Sequence, residues 1–259
     1  MSAAPIAVFD SGVGGLSILQ ALRAQLPYEN FLYFADTLNA PYGEKEEAWI
    51  HDRTVQVAED LLARGAKAVV VACNTATAAA IATLRQRHPL VPFVGIEPAI
   101  KPAAHHTSTG HVGVLATQRT LASRKFKLAT QDILPGVALH LCAATGLAWA
   151  IEQGDTAQIN ALLDRHLVTL PPFGTAQGQI DTLVLGCTHY PFVRAAIEQR
   201  IGPNVHIVDN GQAVARHTHN LLTHLNLLND NEANGQLTLQ ASAQIEALQA
   251  FAQRAGISQ

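Results

Sequence analysis

Charge is scarce in this chain of 259 residues: only 14% are Asp, Glu, Lys or Arg, the formal net charge is −3, and no window gathers Lys and Arg into a run. A polyanion has nothing to grip, which sets nucleic acid aside as a main partner. Long apolar runs are missing too. No uninterrupted stretch reaches the roughly 18–20 residues that a membrane-spanning helix requires, and neither end carries a lipidation motif. The opening MSAAPIAVFDSG has no basic segment before it turns into glycines, so no signal peptide is expected and the expected compartment is the cytoplasm, with no membrane as partner. Cysteine is rare. Cys73, Cys142 and Cys187 form no disulfide framework, and in a reducing compartment they stay thiols. Neither C-x-x-C nor H-E-x-x-H spacing occurs, so a zinc site built from Cys73, Cys187 and His189 lacks support and no metal is expected.

What the chain has is apolar residues, 48% of the total, enough for one large α/β domain or two compact ones. Short β-branched runs at 6–9, 31–35, 68–72 and 93–96 alternate with amphipathic stretches at 16–25, 46–64 and 75–87. A Pro-punctuated segment (Glu97, Pro98, Lys101, Pro102) and a polar patch, HHTSTG, precede a second series. Its strands are expected at 111–117, 137–141, 182–186 and 206–209, with helical stretches at 119–131, 145–153 and 156–170 and a loop over PPFGTAQGQ. Such alternation gives parallel βαβ units, and strands apolar on both faces belong to a sheet covered by helices on each side. The two series look like a weak internal duplication. The expected fold is therefore α/β: two similar parallel-sheet domains related by pseudo-twofold symmetry, residues 1–97 with 210–259 and residues 98–209, with the site in the cleft between them at the carboxyl ends of the strands. The tail after Asn210, a helix, a QLTLQ strand and a last helix at 243–254, is expected to pack on the first domain.

Two cysteines stand at the ends of two apolar runs, in AVVVACNTA (Cys73) and LVLGCTHYP (Cys187), each followed by small polar residues that could open a helix. A helix N-terminus favours thiolate through its dipole and free amides. Asn74, Thr75 and Thr188 add donors for a carboxylate. His189 lies within proton-exchange reach of Cys187, and Asp10 is the candidate partner of Cys73. Inverting an α-carbon means removing a proton from one face and delivering another to the opposite face, which two weak acids bracketing the carbon can do and a single rigid base cannot. The duplicated thiols thus point to a racemase or epimerase. Asp10-Ser11-Gly12-Val13-Gly14-Gly15 is a glycine turn whose amides can face an anion, although it lacks the G-x-G-x-x-G spacing of a dinucleotide site. DTLNAPYG, from Asp36 to Gly43, is a loop that could lay backbone amides and the Tyr42 phenol along a small ligand. Cys142, in VALHLCAAT, reads as a small buried hydrophobe.

DSGVGG, DTLNAPYG, ACNTA, GIEP, GVLAT and LGCTHYP, in this order over residues 6–217, resemble the glutamate racemases of the cofactor-independent aspartate/glutamate racemase superfamily. The resemblance implies L/D-glutamate interconversion without pyridoxal phosphate or any other cofactor, supplying D-glutamate for peptidoglycan. No lysine for a Schiff base occurs in these motifs. It makes Cys73 and Cys187 the proton donor/acceptor pair, assisted by Asp10 and His189, and it puts Asp10, Ser11, Tyr42, Gly43, Asn74, Thr75, Thr117, Thr188 and His189 against the amino acid. Glu152, in AWAIEQG, is implied as a further catalytic group. The stretch from Glu152 to Cys187 is long for the pattern, and Leu38-Asn39 stand where many members have other residues. The partner is then a small molecule, glutamate, with a homodimer left open. Two other readings remain: a racemase of aspartate or another small amino acid, and a non-catalytic amino-acid-binding module.

Overall fold

The computed structural model describes residues 3–131, 133–230 and 233–257. The chain divides into two units, Met1–Ile96 with Gly211–Gln259, and Glu97–Asn210. The first is built from β1 (Ile6–Asp10), α1 (Leu16–Gln25), β2 (Phe31–Ala35), α2 (Glu47–Ala63), β3 (Ala68–Val71), α3 (Asn74–Arg87) and β4 (Phe93–Gly95). The second follows with α4 (Ile100–His106), β5 (His111–Ala116), α5 (Gln118–Ala122), α6 (Arg124–Gln131), β6 (Ala138–Ala143), α7 (Leu147–Gln153), α8 (Thr156–Leu167), β7 (Thr182–Gly186), α9 (Arg194–Ile201) and β8 (His206–Val208). The chain then returns to the first unit with α10 (Gly211–His224), β9 (Leu237–Ala241) and α11 (Ile245–Arg254).

Both sheets are parallel throughout, in orders β4-β3-β1-β2-β9 and β6-β5-β7-β8. The α/β expectation with two parallel sheets holds. Matching β1 with β5, β2 with β6, β3 with β7 and β4 with β8 makes the strand orders identical, and β9 is an addition on the β2 edge of the first. The central strands are apolar on both faces: β1, β2, β3 and β7 are buried at every position. Phe9, Phe34, Val69, Val71, Ile81 and Phe93 share one core cluster, and Ile100, Val112, Val114, Phe126 and Val184 share another.

Three elements depart from expectation. Residues 100–106 form α4 despite Pro102, because a proline in the first helical turn removes an N–H that has no intrahelical partner anyway. The helix expected over 119–131 is two, broken at Ser123, whose extended backbone ends α5 and whose Oγ accepts from Phe126 N–H at 3.1 Å to begin α6. The second strand of the second unit runs two residues further than expected, to Ala143, and carries Cys142 inside it. The tail adds β9 beside β2, with Phe31 opposite Leu237 and Ala35 opposite Ala241. Among the described residues no helix is long and apolar enough to cross a membrane.

Candidate active site

In the first unit the sequence-expected residues gather at the carboxyl ends of β1, β2 and β3. Ala72 N–H donates to Phe9 carbonyl at 2.7 Å, which sets Cys73 beside Asp10 and Ser11 as the strands end. Cys73 keeps extended backbone as the N-cap of α3, its carbonyl accepting from Thr77 N–H at 2.8 Å, so the thiol does stand at the start of a 14-residue helix. It is 7% exposed, and Ser11 Oγ lies 3.7 Å from its Sγ.

Two amides of the glycine turn face an anion of the protein's own: Asp10 accepts from Ser11 N–H at 2.8 Å and from Gly15 N–H at 2.6 Å. Gly15 is required by close approach, since a Cβ there would lie 2.7 Å from the Asp10 Cβ and 3.1 Å from the Ala72 Cβ. The turn orients a carboxylate beside a thiol. Next to it, Asn74 is 5% exposed, and neither its Nδ2 nor its Oδ1 has a hydrogen-bond partner among the described residues. A buried amide left unbonded costs free energy of about 1–3 kcal/mol, so this side chain is suited to a ligand. Thr75 is buried beside it in the first turn of α3.

In the Asp36–Gly43 loop the Tyr42 phenol is buried, donates to Asp36 Oδ2 at 2.6 Å, and packs edge-on against Trp49 and Phe9. Burial and then that hydrogen bond push its hydroxyl well above the usual phenol range. What the turn can still offer a small molecule is backbone at Tyr42 and Gly43. Sequence reasoning missed Asp36 itself and Arg53. Asp36 was visible as an acid at a strand end; Arg53 lies 17 residues on, in α2, with nothing in its neighbours to mark it.

In the second unit the counterpart of Cys73 is Cys187, which directly follows β7, whereas Cys73 follows β3 with Ala72 between. Gly186 lets the strands close up here: a Cβ would meet Ala116 Cβ at 2.8 Å. Thr117 follows Ala116, which is in register with Gly186, and its Oγ1 caps α5 by accepting from Thr120 N–H at 3.1 Å. The expected helix after Cys187 is absent. Thr188 and His189 are buried in a bend, a short 3₁₀ turn covers Tyr190–Val193, and α9 starts only at Arg194. Pro191 falls in the first turn of that 3₁₀ segment, and the backbone leaves helical geometry at Val193, just before α9.

Cys187 is supported instead by side chains. Its Sγ lies 3.6 Å from His189 Nδ1, and His189 Nε2 lies 2.7 Å from Glu152 Oε1 at the end of α7. Burial works against the imidazolium, but hydrogen bonds to Cys187 and Glu152, and then their charges, outweigh it and hold the His189 pKa well above its ordinary value. The arrangement is a carboxylate–imidazole–thiol chain able to give or take a proton at sulfur. Cys142 is buried in β6, its thiol pushed up by burial and bonded to His166 carbonyl at 3.4 Å. Among the described residues no three His, Cys, Asp or Glu side chains gather to hold a metal ion.

The sequence pattern of the family described as Asp/Glu/hydantoin racemase matches residues 17–218. The glutamate racemase of Pseudomonas paraeruginosa (strain DSM 24068 / PA7) is 47% identical over 232 residues, covering 89% of this chain and 86% of that protein. Among solved structures, glutamate racemase from Thermus thermophilus in complex with β-chloro-D-alanine superposes with a TM-score of 0.81 at 36% identity, covering 98% of this chain and 94% of that one. Escherichia coli glutamate racemase, in complex with L-glutamate and the activator UDP-MurNAc-ala, gives 0.80 at 32% identity, with 97% and 95% covered.

Proposed function

We propose that this chain, which belongs to the Asp/Glu/hydantoin racemase family and is therefore an isomerase, interconverts L- and D-glutamate by proton transfer at Cα between Cys73 and Cys187, without pyridoxal phosphate. In each direction one sulfur begins as thiolate and the other as thiol. The thiolate takes the Cα proton from one face, and the electron pair of the broken C–H bond is left on Cα and its carboxylate. The opposite thiol then delivers its proton to the other face. The product leaves with the protonation of the two sulfurs exchanged, and the reverse reaction restores it.

The observation that carries this reading is a matched pair. In each unit a thiol stands within two residues of the end of the third strand in a shared 2-1-3-4 parallel order, and each has its own polar support: Ser11 at 3.7 Å beside the oriented Asp10 carboxylate for Cys73, His189 at 3.6 Å backed by Glu152 for Cys187. A binding module has no use for that duplication. The unbonded Asn74 amide, with Thr75, Thr117 and Thr188, supplies donors and acceptors for an α-carboxylate and α-ammonium, and the amides of Tyr42 and Gly43 add to them. The D-glutamate formed would serve peptidoglycan synthesis in the cytoplasm.

Circular dichroism of L-glutamate, D-glutamate, L-aspartate and D-aspartate incubated with the protein tests the assignment. Both glutamate signals should decay to zero, and kcat/KM for glutamate should exceed that for aspartate by about 10- to 200-fold, the discrimination a methylene difference supports. Aspartate turned over as fast as glutamate would reassign the substrate. Glutamate bound without decay of its signal would make the protein a binding module.

A further inference from the structure

The loop from Asp36 to Gly43 has no sheet or long helix to hold it, only short 3₁₀ turns at Thr37–Asn39 and Tyr42–Glu44 on either side of the cis Ala40–Pro41 peptide. Its position has to come from side chains, and they converge on one atom group. The Asp36 carboxylate, 0% exposed, accepts Arg53 Nε on Oδ2 and Arg53 Nη2 on Oδ1, both at 2.8 Å, together with the Tyr42 hydroxyl and the Asn39 amide at 3.1 Å. A two-pronged Arg–carboxylate fork fixes orientation as well as distance. The backbone of Asp36 is tied in turn to the Asp10 carbonyl through its N–H at 2.9 Å.

The outer side of the loop is held by the tail. Leu38 N–H donates to Ser242 Oγ at 3.0 Å, the Thr37 hydroxyl donates to the Ala243 carbonyl, and Ala243 N–H returns to Thr37 Oγ1 at 3.2 Å. The loop is thus anchored through Asp36 and Arg53 on one side and by the end of β9 on the other.

We propose that Asp36 and Arg53 are positioning residues for the reaction: their fork sets the place of Tyr42 and Gly43, and through them the grip on the carboxylate-bearing substrate. The inference rests on the functional reading above, in which Tyr42 and Gly43 contact the amino acid. Neither Asp36 nor Arg53 moves a proton. Burial alone would raise the Asp36 carboxyl, but the donors from Arg53, Tyr42, Asn39 and Ser242 outweigh it and keep it ionised.

Steady-state kinetics of Asp36→Asn and Arg53→Lys in both directions, with amide hydrogen exchange at Tyr42 and Gly43, test the proposal. Asp36→Asn should raise KM about tenfold for both enantiomers with kcat within about threefold, the signature of lost uniform binding. The shape of the pH–rate profile should not change, and exchange at Tyr42 and Gly43 should quicken. Arg53→Lys keeps the charge but not the fork and should shift KM the same way by less; if Asp36→Asn does not fold, this variant decides. A folded Asp36→Asn with wild-type KM and exchange overturns the proposal, as does a collapse of kcat at constant KM. Should the wild type fail to racemise glutamate, the functional reading falls separately, and exchange at Tyr42 and Gly43 alone decides whether the pair holds the loop.

Discussion

Two thiols in matching places are not chemically matched. Cys73 caps α3 and takes its support from a helix N-terminus and from Ser11, whereas Cys187 precedes a bend and takes its support from His189. Glu152 meets that imidazole at 2.7 Å. His189 has a raised pKa, so the stabilisation it draws from Cys187 and Glu152 is fully present below its unfolded value, about 6.5, and is lost as pH rises through the higher folded value. Glu152→Gln removes one of the two groups that hold the proton on His189. The basic limb of the kcat/KM profile should then move to lower pH, with the acidic limb in place. A pH–rate profile identical to the wild type would mean that Glu152 does not act through His189. Sequence alone exposed Cys73, Cys187 and His189 because each stands just beyond an apolar run. It could not show which nitrogen of His189 faces sulfur, nor that the phenol of Tyr42 turns inward to Asp36, since both depend on rotamers chosen by packing.

At the scale of elements, the polar patch HHTSTG finds its explanation in a clamp. Asp181, just before β7, accepts Ser108 N–H at 2.7 Å, Thr109 N–H at 2.9 Å and the Thr107 hydroxyl at 2.6 Å, tying the start of β5 to that of β7. Burial raises the Asp181 carboxyl, but these donors outweigh it and hold it below the usual carboxylate range. A depressed carboxyl contributes stability above its unfolded pKa of about 3.9, lost as pH falls through the folded value. Asp181→Asn should therefore lose about 1–3 kcal/mol at neutral pH, measured by urea unfolding, and the deficit should shrink in acid. An equal deficit at every pH would put the loss down to shape alone. The same scale shows what sequence patterns miss. Strands were legible because burial on both faces leaves a run of β-branched residues, as in β3 and β7. The helix at Ile100–His106 was hidden by a proline that happens to fall in its first turn, and after Cys187 the chain turns and makes only a short 3₁₀ segment before α9.

For the molecule as a whole, the informative regularity is that two units share one strand order, with β9 added to the first from a tail that follows the second. The rhythm of that duplication could be read from alternating runs, and so could a QLTLQ strand in a tail that packs on the first unit; its pairing with β2 came only from the structure. The link from Asp36 to Arg53 and on to Ser242 could not, because it joins a loop, a helix and the tail across more than 200 residues of chain. The proposed chemistry uses the duplication directly: one thiol for each face of a carbon. Proton NMR of L-glutamate and of D-glutamate in heavy water, with the wild type, Cys73→Ser and Cys187→Ser, tests that claim most directly. Two-thiol racemisation predicts that the wild type exchanges the Cα proton for deuterium while forming both enantiomers. Each serine variant should lose racemisation, with any remaining exchange confined to one enantiomer and to opposite enantiomers in the two variants. Racemisation persisting in either variant would contradict it.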